Sequence, residues 1–208
     1  MEELDVAVDE LIFEAGRLSL TFANTVEWHA SEQPTEYLNS YADLVRWAEE
    51  VKLLTGDRAE QLSQEGLHRS EEANKVLEKA IELREVIYRI FSAVAAEQSV
   101  EPDDLDILNK ALSESLIWLR VTQTGDGFSW AWSVDETTLD QMLWPIARSG
   151  AKLLTSEELD RVRKCADDRG CGYLFIDMSR NRSRKWCDMR GCGNRAKVRR
   201  YRRKHGDE

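Results

Sequence analysis

Apolar residues recur at steps of three and four over residues 71–97: Ala73, Val76, Leu77, Ala80, Leu83, Ile87, Ile90, Phe91 and Val94. A stripe this wide predicts a long helix at the centre of a core. Weaker periodic runs predict a short helix over 18–26 and a helix capped by Asn39 or Ser40 that runs to Leu54. They also predict a helix over 57–65 that ends near Gly66, and one over 102–114 with Pro102 in its first turn. An apolar burst at Leu11-Ile12-Phe13 has no clear period.

The period then changes. Residues 116–122 and 128–134 are rich in strand formers, and Gly125-Asp126-Gly127 between them predicts a β-hairpin turn, with Phe128, Trp130 and Trp132 on one face. A helix over 137–153, bent or restarted at Pro145, and a last short helix from Ser156 toward Lys164 complete this part. The fold class expected is α+β: a mainly helical N-terminal domain over residues 1–158 with one β-hairpin, and a second, small domain over 159–208.

Composition sharpens that division. The chain has 208 residues and a net charge of −10. Residues 161–208 hold 16 Lys and Arg against 6 Asp and Glu, and residues 1–160 hold 13 against 33. The basic segment points to a polyanion partner that the whole-chain pI would hide; the alternative is a basic tail folded back on an acidic body. No window approaches the ~18 apolar residues of a membrane span. The acidic start Met1-Glu2-Glu3-Leu4-Asp5 is unlike a secretory signal, so a cytoplasmic protein is expected.

All four cysteines, Cys165, Cys171, Cys187 and Cys192, lie in the basic segment as two close pairs fifteen residues apart. In a reducing compartment this arrangement reads as a metal site, with Zn²⁺ as the cofactor. Gly170 and Gly172 flank the second cysteine, and Gly191 and Gly193 the fourth, where ligand turns need glycine. Residues 173–177 read as a strand, 179–183 as a polar turn, and 184–186 as the return toward Cys187. The run from Asn194 reads as a helix with Asn194, Val198 and Tyr201 on its inner face. Knuckle, hairpin and helix make the treble-clef order, and metal would supply what so small a core cannot.

At this point the chain resembles a known family. Trp186-Cys187-Asp188-Met189-Arg190-Gly191-Cys192-Gly193-Asn194-Arg195 is similar to the signature of the CGNR zinc fingers, and Cys171 to Asp177 with Ser179 to Arg184 is similar to their hairpin. Leu18 to Thr25, Tyr41 to Leu44, Leu83 to Glu85 and Leu143 to Ser149 resemble the ABATE domain that precedes this finger. The resemblance implies a bacterial transcriptional regulator linked to stress responses.

Candidate DNA contacts are Arg182, Arg184, Lys185, Arg195, Lys197, Arg199, Arg200, Arg202, Arg203 and Lys204. Of these, Arg195 and Arg199 are expected to make contacts of fixed geometry. RNA is the neighbouring alternative, and a protein-interaction module binding an acidic partner is the competing one. Asn24, Arg84 and Trp130 are candidates for a small-molecule effector pocket, against a structural role for Asn24, His29 and Arg84 and a core role for Trp118, Trp130, Trp132 and Trp144. A homodimer is also entertained. Only His29, His68 and His205 are present and none falls in the finger's hairpin; with no nucleophile motif or phosphate-binding glycine loop, no enzyme is expected.

Overall fold

The computed structural model describes residues 15–125, 127–135 and 138–206, without the side chains of 15–17 and 204. Leu11-Ile12-Phe13, Asp126 of the turn, the start of the expected helix at 137 and the Lys204 side chain therefore lie outside the described residues. The helices are α1 (Ala15–Ala23), α2 (Tyr41–Glu50), α3 (Gly56–His68), α4 (Ser70–Ala95), α5 (Pro102–Leu116), α6 (Leu143–Leu154) and α7 (Asn194–His205). Three antiparallel strand pairs join them: β1 (Val26–Glu27) with β2 (Thr35–Glu36), β3 (Leu119–Thr124) with β4 (Gly127–Trp132), and β5 (Val162–Lys164) with β6 (Leu174–Ile176). The chain is thus mainly helical with small hairpins, as its periodicity predicts.

Helix α4 runs through the core. Ala80, Leu83, Val86, Ile87, Ile90 and Phe91 on its inner stripe are buried. Helix α1 packs on α6 and α4, α6 on α5, and α2 on α3. Ser40 caps α2 by accepting from the Asp43 N–H, and the helix stops at Glu50, short of the expected Leu54. Helix α3 continues past Gly66, because a glycine there lets the helix meet the Tyr41 ring: a Cβ would stand 2.6 Å from it. Pro145 does not bend a helix; it sits in the first turn of α6, where a missing N–H costs nothing. The expected last short helix after Ser156 is instead one tight turn at Leu159–Arg161 followed by β5.

In the β3–β4 hairpin, Val121 faces Trp130 and Leu119 faces Trp132. Trp144 anchors its base, stacked on Trp118 at 5.2 Å and tilted to Trp132 at 5.8 Å. Toward the tip the apolar face emerges: Trp130, which carries the Arg148 guanidinium 5.7 Å above its ring, is 43% exposed and Phe128 is 76% exposed. Trp144 is a core residue, as expected; Trp130 is not. No helix among the described residues is long and apolar enough to cross a membrane.

Candidate metal centre and basic helix

Strand β5 leads into the first cysteine and β6 leaves the second. The ladder pairs Lys164 with Leu174, and the Cys165 N–H extends it to the Tyr173 carbonyl at 2.9 Å. The cysteine knuckle is therefore the loop of the β5–β6 hairpin, which accounts for its five-residue spacing. This corrects the expected pairing of 173–177 with 184–186. Residues 184–186 form no strand; Lys185 instead accepts from the Ala166 N–H, and the Arg184 N–H is bound by Asp177.

Gly170 and Gly172 carry φ of +89° and +67°. A Cβ at Gly172 would lie 2.5 Å from the Tyr88 hydroxyl oxygen and 2.9 Å from Ala30, so both backbone angle and close packing demand glycine. The knuckle rests on residues 28–31: the Ala30 N–H donates to the Gly170 carbonyl at 3.1 Å. That loop is held by α4. His29 Nε2 meets Glu85 at 2.8 Å and its ring stacks on Tyr88 at 3.6 Å. Arg84, 2% exposed, is fixed beside it by a two-pronged bond to Glu36 at 2.6 and 2.7 Å and by Glu85.

The second pair is set by Asp188. Its carboxylate accepts from the Arg190 and Gly191 N–H groups, and its carbonyl from the Gly193 N–H, which coils Met189–Gly193 into a wide turn that feeds α7. Cys192 thus sits two residues before the helix. The four Sγ atoms lie within 4.8 Å of one another, with Cys171–Cys187 and Cys187–Cys192 at 3.7 Å.

A tetrahedron of sulfurs at the usual Zn–S distance has edges of about 3.8 Å, so the cluster fits zinc. Hydrogen bonds from Cys171 and Cys187 push the Cys165 thiol down, while those with Cys165 and Cys171 push Cys187 up. Four crowded thiols cannot ionise together without a cation among them.

The helix that follows is turned differently from its apolar pattern. Val198 and Tyr201 are 41% and 60% exposed, and Asn194 is exposed too; the inner face is Arg195, Ala196 and Arg199. The reason is Asp167, a buried carboxylate two residues after Cys165. It receives Arg199 Nη2 at 3.1 Å, Arg169 Nε at 3.4 Å and Arg195 Nε at 3.5 Å. Burial pulls this carboxyl up, but the Arg169 N–H and side chain, with Cys192, outweigh it and hold it below the ordinary range. Arg195 also donates to Cys192 Sγ at 2.9 Å. Arg195 and Arg169 lie 5.1 and 4.9 Å from the Trp28 ring. Trp28 and Asp167 carry no signal in the apolar pattern; an acidic pair, Asp167-Asp168, within a basic segment is the one sequence clue.

The remaining candidates divide. Lys185, Lys197, Arg200, Arg202 and Arg203 are exposed. Arg182 pairs with Asp160, and Arg184 donates to the Trp186 and Cys187 carbonyls while covering the Phe175 ring. Among the described residues the ion pairs of the basic segment run to Asp160, Asp167 and Asp168. Asn24, Arg84 and Trp130 take separate partners among the described residues: Leu174, the Glu36 and Glu85 carboxylates, and Arg148. Asn24 donates to the Leu174 carbonyl at 2.8 Å and accepts from its N–H at 2.9 Å, acting as an extra strand edge for β6.

Two family models match the chain. One, described as "Putative stress-induced transcription regulator" and called ABATE, covers residues 16–157; the other, the CGNR zinc finger, covers residues 161–205. No curated protein matches it. With a match over more than half its length and a four-cysteine cluster in the matching finger, the chain belongs to the ABATE family and carries a CGNR zinc finger after the ABATE region.

Proposed function

We propose that this chain is a zinc-dependent DNA-binding transcriptional regulator, in which residues 159–208 dock on DNA and residues 1–158 modulate that docking. The observation that carries the reading is the seat of α7. Its first turn is fixed by Cys192 and Asp167, while Lys197, Arg200, Arg202 and Arg203 face solvent. A rigidly held helix with a cationic outer face suits a polyanionic groove, and the phosphates supply most of the affinity.

Cys165, Cys171, Cys187 and Cys192 would hold the zinc, whose role is structural: four thiolates leave no open position for substrate. Arg195 and Arg199, held by Asp167, position the helix. For the modulating role, a cleft of about 250 Å³ between α4, α5 and α6, lined by Lys79, Leu83, Lys110, Glu114 and Trp144, offers room for a small effector.

The test is binding of the zinc-loaded chain to labelled DNA and RNA duplexes across a salt series, before and after chelation. Affinity for DNA should fall with salt by about 0.9 log units per log unit for each phosphate contacted. Chelation should abolish it. Duplex binding that survives chelation, or none at low salt, would overturn the proposal.

A further inference from the structure

Behind the exposed face of α7 lies a second cavity, of about 200 Å³, lined by Ala166, Asp168, Trp186, Ala196, Arg199, Arg200 and Arg203. Three of these seven side chains are guanidinium groups. Two of the seven also hold buried donors with no hydrogen-bond partner among the described residues: Trp186 Nε1 and Arg199 Nε. A buried N–H left unpaired costs as much as a lost hydrogen bond, so two of them beside one cavity call for an acceptor. Arg200 and Arg203 make no ion pair among the described residues. The one acid in the lining, Asp168, meets Arg199 Nη2 at 2.5 Å, with its side chain 62% exposed to solvent.

From this juxtaposition we infer that the cavity between Trp186 and α7 is a binding seat for a single phosphate group, which takes the place of Asp168 on Arg199. The chemistry fits a phosphate better than a carboxylate. Its tetrahedral oxygens can meet donors converging from several directions, whereas a carboxylate is matched by one planar fork. Arg199 is already oriented by Asp167 from behind, so it does not have to be ordered on binding. The phosphate has two sources, a nucleic-acid backbone or a free phosphate ion. The first rests on the function proposed above; the second does not.

The full zinc-loaded chain, labelled with ¹⁵N, is titrated with inorganic phosphate and, at matched ionic strength, with chloride. The readout is the indole N–H signal of Trp186, identified by its loss in Trp186→Phe. Phosphate should move this signal saturably and chloride should not. Arg203→Gln, which touches neither the cysteines nor Asp167, should weaken phosphate binding by about tenfold, as expected for losing a charge-assisted hydrogen bond. Asp168→Asn should tighten it. Lys197→Gln with Arg202→Gln, which removes charge outside the cavity, should weaken a duplex but not phosphate.

No saturable shift, or an Arg203→Gln protein that matches the wild type while retaining its zinc, would overturn the seat. A duplex that binds without moving the Trp186 signal and without competition from phosphate would overturn the nucleic-acid backbone as its occupant, leaving DNA binding intact. If phosphate moves the signal and no duplex binds, the seat stands, its occupant is the free ion, and the DNA reading fails.

Discussion

The helical body and the cysteine segment reach order by different means. The body closes around fully buried Phe22, Leu44, Ile87, Ile90, Phe91 and Ile146, a core large enough to fold by burial. The segment's own cluster is Cys165, Phe175 and Cys192 with Cys171, Trp186 and Cys187 packed against it, and four of these six are the candidate ligands for the proposed zinc. Yet the segment is not wholly separate. Val162, Leu174 and Ile176 of β5 and β6 belong to the body's cluster. A family boundary near residue 158 is therefore a boundary in sequence, while the apolar core runs across it and stops at the knuckle.

Removing the metal would draw the sharpest contrast. Structural zinc is worth roughly 10–16 kcal/mol of apparent binding energy, so Cys192→Ser should release metal and loosen residues 177–206. The melting transition of the body should survive, because its core holds no ligand. Zinc content together with hydrogen exchange would check this, and stoichiometric zinc in the variant would refute the four-cysteine site.

Leu174→Ala probes the shared part and should break the distinction. At 1% exposure it should cost about 2–5 kcal/mol. Unlike Cys192→Ser, it should lower the body's melting temperature and loosen the knuckle together, since β6 serves both. If only one of the two responds, the core does not cross the boundary in the way described.

A smaller effect lies wholly inside the segment. Asp177 is buried and accepts from the Ser179 and Arg184 N–H groups at 2.8 Å each, closing the polar turn over 179–184. Burial pulls its carboxyl up, but the Ser179 hydroxyl and the two N–H groups outweigh that and hold it below the ordinary range. Its contribution is therefore full above the unfolded value, near 3.9, and is lost as pH falls through the lower folded value. Asp177→Asn should cost about 1–3 kcal/mol at neutral pH and flatten the loss of stability below pH 4, measured by acid titration of amide exchange in this turn. The smallest effect is expected from Arg182→Gln: its ion pair with Asp160 is solvent-exposed on both sides, and stability should change by no more than about 1 kcal/mol.

What could be read ahead of the structure followed the same division. Burial writes itself into spacing, so α4, α5 and the β3–β4 hairpin lie within a few residues of where periodicity puts them. The cysteines were legible because ligand chemistry and flanking glycines are local. Strand β5 was not: three residues, Val162-Arg163-Lys164, are too short to show a period, and its partner β6 lies ten residues on.

The inner face of α7 was misread for a more general reason. Apolar residues mark an inner face only when the surface beneath is apolar, and here it is the carboxylate of Asp167. Arg84 illustrates the same point with Glu36: its partner sits 48 residues away, and nothing local in the sequence names it.

The bond between Asn24 and Leu174 also sets a schedule. The two residues are 150 positions apart, so during synthesis at ~5–20 residues per second the end of α1 emerges roughly 8–30 s before β6 exists to pair with it. Through that interval the nascent body carries an open strand-binding edge at Asn24 and a bare apolar seat where Val162 and Leu174 belong. The ribosome-bound chain should therefore be most prone to wrong pairing just before β6 appears, and a chaperone that covers the end of α1 would act in that window.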